Sequence, residues 1–217
     1  MKSSDSAEII FSDNHILIAL KPAGLLTQPD DSNDESLETF AKAWVKQEYH
    51  KEGDVFLHCV HRLDRPVSGL VIFARTSKAL SRMNEQSRAM EIQRVYEAEV
   101  EGILSQKIGK LDHYLIHGDH RAIVAKEGTE GAKHARLSFE ALHYMPHSTL
   151  VRIELETGRY HQIRAQFGAI GHPIKGDKKY GSKTGDGSAI FLHCAKVSFA
   201  HPVTKEVLNF EAAAPFG

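Results

Sequence analysis

The sequence predicts an α+β fold: a central mixed, largely antiparallel β-sheet with flanking helices and loops. Three observations carry this expectation. Most apolar segments repeat with the period of a strand, few repeat with the period of a helix, and the two kinds do not alternate in the βαβ rhythm of a parallel sheet. The 217 residues suit one domain or a domain with a lobe, with ample core. The expected organisation is a single domain over 1–217 with residues 1–8 as a flexible N-terminus.

Ile9–Phe11 and His15–Leu20 read as short strands around the turn Ser12-Asp13-Asn14. Lys21-Pro22-Ala23-Gly24 then breaks the pattern, because Pro fixes φ and Gly frees it. The acidic run Asp30–Glu35 reads as a solvated loop, followed by a helix from Leu37 to about Glu48. The unbroken apolar run Leu70-Val71-Ile72-Phe73-Ala74 fits a strand buried on both faces. Thr76 or Ser77 caps a helix through Ala79, Leu80, Met83 and Met90.

Arg94–Val100 alternates, placing Tyr96, Ala98 and Val100 on the more apolar face of a strand. Gly118–Lys133 is polar and is expected to be mobile. Leu137–Leu142 and Leu150–Glu156 read as strands, and Tyr160–Ala169 as a helix with Tyr160 and Arg164 on one face. Gly181–Ser188 reads as a loop, and Ile190–Ala200 and Val207–Ala212 as closing strands.

Composition narrows the function classes. The chain is 41% hydrophobic and 25% charged, as in ordinary globular proteins, and no apolar stretch approaches the length of a membrane span. Cys59 and Cys194 make no disulfide framework and read as reduced thiols of a cytoplasmic protein. The net charge of −1 hides a polarity. Residues 1–60 hold five Lys+Arg against eleven Asp+Glu; residues 61–94 hold seven against three, and residues 159–183 six against one. Two basic segments amid acidic surroundings either form a positive cleft for phosphates or scatter over the surface; charge alone leaves both open.

Asp64 stands between Arg62 and Arg65 on a loop that feeds a buried strand. A rigid scaffold with an exposed loop suits a catalytic carboxylate, and a nearby guanidinium keeps it ionised. The same pattern describes a structural ion pair. Tyr96 fits a packed tyrosine as well as a catalytic one, and Arg164 a salt bridge as well as a site cation. The helix opening Thr157-Gly158-Arg159-Tyr160-His161 offers N–H groups and cations to a phosphate. Asp112, His113, His117 and His120 form the tightest cluster of metal-ligating types, and His113 and His117 share a face if helical. The spacing matches no zinc pattern such as HExxH, so no metal is expected. There is no Walker loop, GxGxxG or GxSxG to support a nucleotide, dinucleotide or serine-elbow enzyme.

Four segments, in order, carry a resemblance. His61-Arg62-Leu63-Asp64 with Ser68-Gly69-Leu70 resembles the HRLDxxTSGL signature of the RluA family of pseudouridine synthases. Arg94–Gly102 resembles that family's KxYxAxVxG, Thr157–Arg164 its TGRxHQIR, and Gly171–Gly181 the GHPIxGDxxYG that follows. Lys21–Leu25, Leu192-His193 and His201-Pro202 extend the similarity over nearly the whole chain. Three positions depart from the pattern: Arg94 replaces Lys, Val67 replaces Thr, and Tyr160 replaces Thr.

The resemblance implies the pseudouridine synthase catalytic fold without an S4 domain. It makes Asp64 the catalytic aspartate, Tyr96 the active-site aromatic and Arg164 the cation that pairs with Asp64. It places His61, Arg62, Arg65, Arg159, His161 and Gln162 at the RNA. The implied substrate is a ribosomal or transfer RNA stem-loop with a flipped uridine, handled without cofactor by a cytoplasmic monomer that needs no protein partner and no membrane. Two other readings stay open: an RNA-binding or chaperone relative without turnover, and a metal-dependent hydrolase built on the histidine cluster.

Overall fold

The computed structural model describes residues 7–216 and bears out the α+β expectation. The chain separates into two compact units, one of residues 7–93 and 194–213, the other of residues 94–193 with 214–216.

In the first unit, β1 (Glu8–Ser12) pairs antiparallel with β2 (Ile16–Lys21), and β2 pairs antiparallel with β4 (Ser68–Ala74). The short β3 (His58–Cys59) adds to the end of β4, and β11 (Val207–Glu211) pairs antiparallel with β10 (Leu192–Ala200), the other neighbour of β4. The apolar run expected to be buried on both faces is so: every residue of β4 is buried. Residues 1–6 of the expected N-terminal tail lie outside the described residues, and Glu8 is already in β1.

Two helices cover this sheet. Helix α1 (Leu37–Glu48) buries Leu37, Ala41 and Val45, spaced four apart, and Ser36 caps it by accepting from the Thr39 N–H at 3.1 Å. Such a cap stabilises a helix by about 1 kcal/mol. Helix α2 (Ser77–Arg88) begins after its cap Thr76, as the sequence indicates, and turns Ala79 and Met83 inward.

In the second unit the order is β5 (Gln93–Glu101), β9 (Ser148–Leu155), β8 (Lys133–Met145), β6 (Ile108–His117) and β7 (Ala122–Ala125), all antiparallel. Helix α3 (Gln162–Ala169) lies against β6 and β7, and a 3₁₀ turn (Lys178–Tyr180) adjoins α3. Tyr96, Ala98 and Val100 on β5 face the interior, as the alternation requires.

One segment differs from expectation, and another carries none. Gly118–Lys133, expected to be a mobile loop, contains β7, and residues 108–117, to which the sequence assigns no element, form a strand. β7 folds back on β6 in a short hairpin, His117 facing Ala122, while β6 pairs on its other edge with sequence-distant partners, such as Leu111 with Leu137, which no local periodicity announces. Helix α3 also starts later than expected. His161 takes a left-handed φ of 51° just before it, so Tyr160 is not on the helix and does not share a helical face with Arg164.

Candidate active site

Asp64 sits on the turn leading into β4, partly exposed, with its backbone held on both sides. Thr27 Oγ1 donates to the Leu63 carbonyl at 2.7 Å and accepts from the Leu63 N–H at 3.2 Å. The Arg65 carbonyl accepts from Gly24 N at 2.8 Å and from Lys21 Nζ at 3.1 Å, and the Asp64 carbonyl accepts from Val67 N at 3.0 Å. Three consecutive residues are thereby pinned, the preorganisation that a reacting group on a loop requires. Gly69 closes the turn at φ 123°, with the backbone of Cys194 2.3 Å from the position a Cβ would take, so only glycine fits. Thr27→Val leaves the buried Leu63 N–H and C=O without their partner. It should cost about 2–6 kcal/mol in urea denaturation, from about 1–3 kcal/mol per stranded group.

Lys21 is the unusual residue of this loop. It is fully buried at the end of β2, and its ammonium also donates to the carbonyls of Pro22 at 3.0 Å and Leu25 at 2.6 Å. Burial lowers its pKa from the ordinary value to about 7, opposed by the negative charge of Asp64. A folded-state value below the unfolded one means that the unfolded chain holds the extra proton between about pH 7 and the normal lysine range. Stability therefore rises with pH across that window. Denaturation at the two ends should show a larger gain for the wild type than for Lys21→Met.

The neighbouring residues of the HRLD segment take different roles. Arg62 is exposed. Arg65 is exposed too, but its guanidinium pairs with Asp34 at 2.7 Å and donates to the Gly24 carbonyl at 3.0 Å. His61 turns inward and accepts from the Ile72 N–H at 3.3 Å through Nε2. Its ring thus stands in for a strand partner.

In the second unit, Arg164 lies on α3 with 4% of its surface exposed. It grips Asp177 with two bonds, Nε to Oδ2 at 2.6 Å and Nη2 to Oδ1 at 2.9 Å. Its Nη1 donates to His161 Nε2 at 3.0 Å, which puts the imidazole proton on Nδ1, 2.9 Å from the Tyr180 hydroxyl. That hydroxyl also accepts from the Ala122 N–H at 2.7 Å, and burial pushes its phenol well above the ordinary tyrosine range. The Tyr180 ring lies 5.2 Å from the guanidinium carbon. Every group in this chain keeps Arg164 charged and in one rotamer. The ring bonds of His161 also hold its left-handed backbone, a conformation that costs an ordinary residue about 1–2 kcal/mol.

Gln162 ties down the turn ahead of α3. Its Oε1 accepts from Thr157 Oγ1 at 2.7 Å and Arg159 N at 2.9 Å, and its Nε2 donates to the Arg136 carbonyl at 3.0 Å. Arg159 is exposed, with Nε on the His134 carbonyl at 2.9 Å. The Arg94 guanidinium covers Gly158, Nη2 lying 2.9 Å from where a Cβ would be. Tyr96 is buried on β5 opposite Ile153.

A clamped, partly exposed aspartate on one unit and a caged arginine on the other are the features the sequence resemblance names. Residues 15–169 match the model of the RNA pseudouridylate synthase family. The chain belongs to that family.

The synthase is 33% identical over 213 residues to the Dual-specificity RNA pseudouridine synthase RluA of Haemophilus influenzae, covering 96% of this chain and 94% of the relative. It is 34% identical over 211 residues to the Uncharacterized RNA pseudouridine synthase YhcT of Bacillus subtilis, covering 96% and 68%. Among solved structures, Human RNA Pseudouridylate Synthase Domain Containing 4 superposes with a TM-score of 0.80 at 20% identity, over 95% of this chain and 88% of that one, a likeness of fold. The synthase is thus an RluA-type, RNA-modifying isomerase. No helix among the described residues is long and apolar enough to cross a membrane.

Lys21, Thr27, Asp177 and Tyr180 escaped the reading of site residues. Asp177 and Tyr180 stand inside the GDKKYG segment, where their types, an acid and a phenol, were the available signal. The histidine cluster does not converge. The Asp112 carboxylate bonds His134 at 2.5 Å, while His113, on the alternate face of β6, meets Gln166 at 3.1 Å. Among the described residues no three His, Cys, Asp or Glu side chains gather as a metal would need.

Proposed function

We propose that this synthase isomerises a uridine in ribosomal or transfer RNA to pseudouridine, with Asp64 as the reacting carboxylate, Tyr96 against the base and Arg164 as the cation that keeps Asp64 ionised and aimed. The observation that carries the proposal is the three-residue backbone clamp, which presents one partly exposed carboxylate on a rigid turn in a chain of this family. One 31% identical relative is named Ribosomal large subunit pseudouridine synthase D, from Nitrosomonas europaea, which favours ribosomal RNA among the substrates.

The chemistry breaks the C1′–N1 bond, turns the uracil, joins C5 to C1′, removes the C5 proton and leaves N1 protonated. Asp64 serves either as nucleophile at C1′ or as base at C2′ through a glycal. Tyr96 stacks on the turning base and helps remove the C5 proton. No cofactor is required, since uracil is both leaving group and returning nucleophile. The target uridine flips out of its helix at a cost of about a few kcal/mol. Phosphate contacts from exposed Arg62, Arg65 and Arg159 offset it. His61 and Gln162 act by holding the turns that carry those arginines. The working form is a monomer in the cytoplasm.

The test is tritium release from RNA carrying 5-tritiated uridine, isolated from cells lacking the synthase. Release with the wild type, mapped to defined uridines, is the expected result. No release from any cellular RNA would reduce the chain to an RNA-binding relative.

A further inference from the structure

Tyr160, one of the three departures from the family pattern, stands at the centre of a run of rings. It lies 3.9 Å from the His161 ring at an interplanar angle of 19°, and 4.2 Å from the His117 ring at 36°. His161 is buried, Tyr160 is 37% exposed and His117 is exposed at the end of β6. The run therefore leads from the caged Arg164 to the surface. Beside Tyr160 opens a cavity of about 210 Å³, lined among others by Leu115, His117, Ala122, Lys133 and Arg159. That is below the roughly 300–1,000 Å³ of a drug-sized ligand site and on the scale of one planar base.

The charge of the cavity is one-sided. Its charged lining residues are Lys133 and Arg159, with no acid among them. Lys133 is exposed and has no ion-pair partner among the described residues, and Arg159 spends only Nε, on the His134 carbonyl. Aromatic surface beside unneutralised cations is what a single-stranded nucleotide requires: a face for the base and N–H donors for the phosphate.

We infer that this cleft is a second nucleotide site, which stacks a base of the substrate RNA on the outer face of His117, the exposed ring that ends the run and that Tyr160 backs, and holds its phosphate with Lys133 and Arg159. The inference rests on the substrate being RNA and gives a role to the β6–β7 hairpin and to the tyrosine that replaces threonine. Stacking tolerates any base, so the site contributes affinity rather than sequence choice.

Binding of a short single-stranded RNA containing 2-aminopurine is the direct probe, read by quenching of that base and by fluorescence anisotropy. His117→Ala should abolish the protein-dependent quenching and weaken binding about tenfold. Lys133→Ala should weaken binding and lower the slope of log affinity against log salt by about 0.7, the loss of one phosphate contact. Lys107→Ala, an exposed cation away from the cleft, should change neither. Unchanged affinity and quenching in the His117→Ala, Lys133→Ala double variant would overturn the site, as would an equal loss in Lys107→Ala. A wild type that forms no pseudouridine while these variants still lose RNA would instead sink the proposed reaction and support the cleft.

Discussion

Replacing Asp64 with Asn should all but abolish pseudouridine formation, lowering turnover by at least about 10²-fold, while the melting temperature and RNA affinity stay near those of the wild type. The magnitude follows from either route. Losing a general base costs about 10²–10⁴-fold, and losing a nucleophile costs more. The fold should survive because the supports of this loop act on its backbone. Thr27 holds Leu63, Lys21 and Gly24 hold Arg65, and the Asp64 carbonyl, not its carboxylate, receives Val67 N–H. The amide of Asn is nearly the shape of the carboxylate but can neither attack nor accept a proton at neutral pH. Tritium release and a thermal melt on the same preparation decide it. Turnover within a few-fold of the wild type would remove Asp64 from the chemistry.

The second large effect is on stability. Asp177→Ala should cost about 3–5 kcal/mol, because it leaves the Arg164 guanidinium buried without its carboxylate. Arg164 and Asp177 have side chains 5% and 1% exposed, so water screens neither. The His161 imidazole and the Tyr180 ring, both uncharged, cannot take the place of the lost carboxylate. A shift of this size lowers the melting temperature by roughly 6–20 °C for a chain of this length. A measured loss below about 1 kcal/mol, the worth of an exposed pair, would show that the site is far wetter than its burial indicates. Activity should fall as well, since the arginine proposed to aim Asp64 would lose the carboxylate that fixes its rotamer.

Much of this architecture is written locally. The apolar run Leu70–Ala74, the caps Ser36 and Thr76 and the alternation of Arg94–Val100 each depend on near neighbours, and each folds as its pattern indicates. The segments carrying Asp64, Tyr96 and Arg164 were legible as well, through motifs whose order and spacing resemble one family. Their partners were not. Arg164 is flanked by nothing that points to Asp177, thirteen residues on, as its bidentate acid. Nothing beside Lys21 in the sequence indicates that its ammonium meets three carbonyls, one of them forty-four residues away. Residues 108–117 carry no clear local pattern and became a strand because β8 supplies a ladder there.

By itself, then, the sequence determined the α+β class, the element boundaries set by caps and breakers, and the family to which the chain belongs. Tertiary structure alone decided which groups hold the candidate site residues in place: the Thr27 and Lys21 clamp, the Asp177 grip and the stack on Tyr160. The physical reason is range. Periodicity and capping are interactions between residues a few positions apart, whereas charge burial and ring stacking depend on chain segments brought together only by the folded sheet.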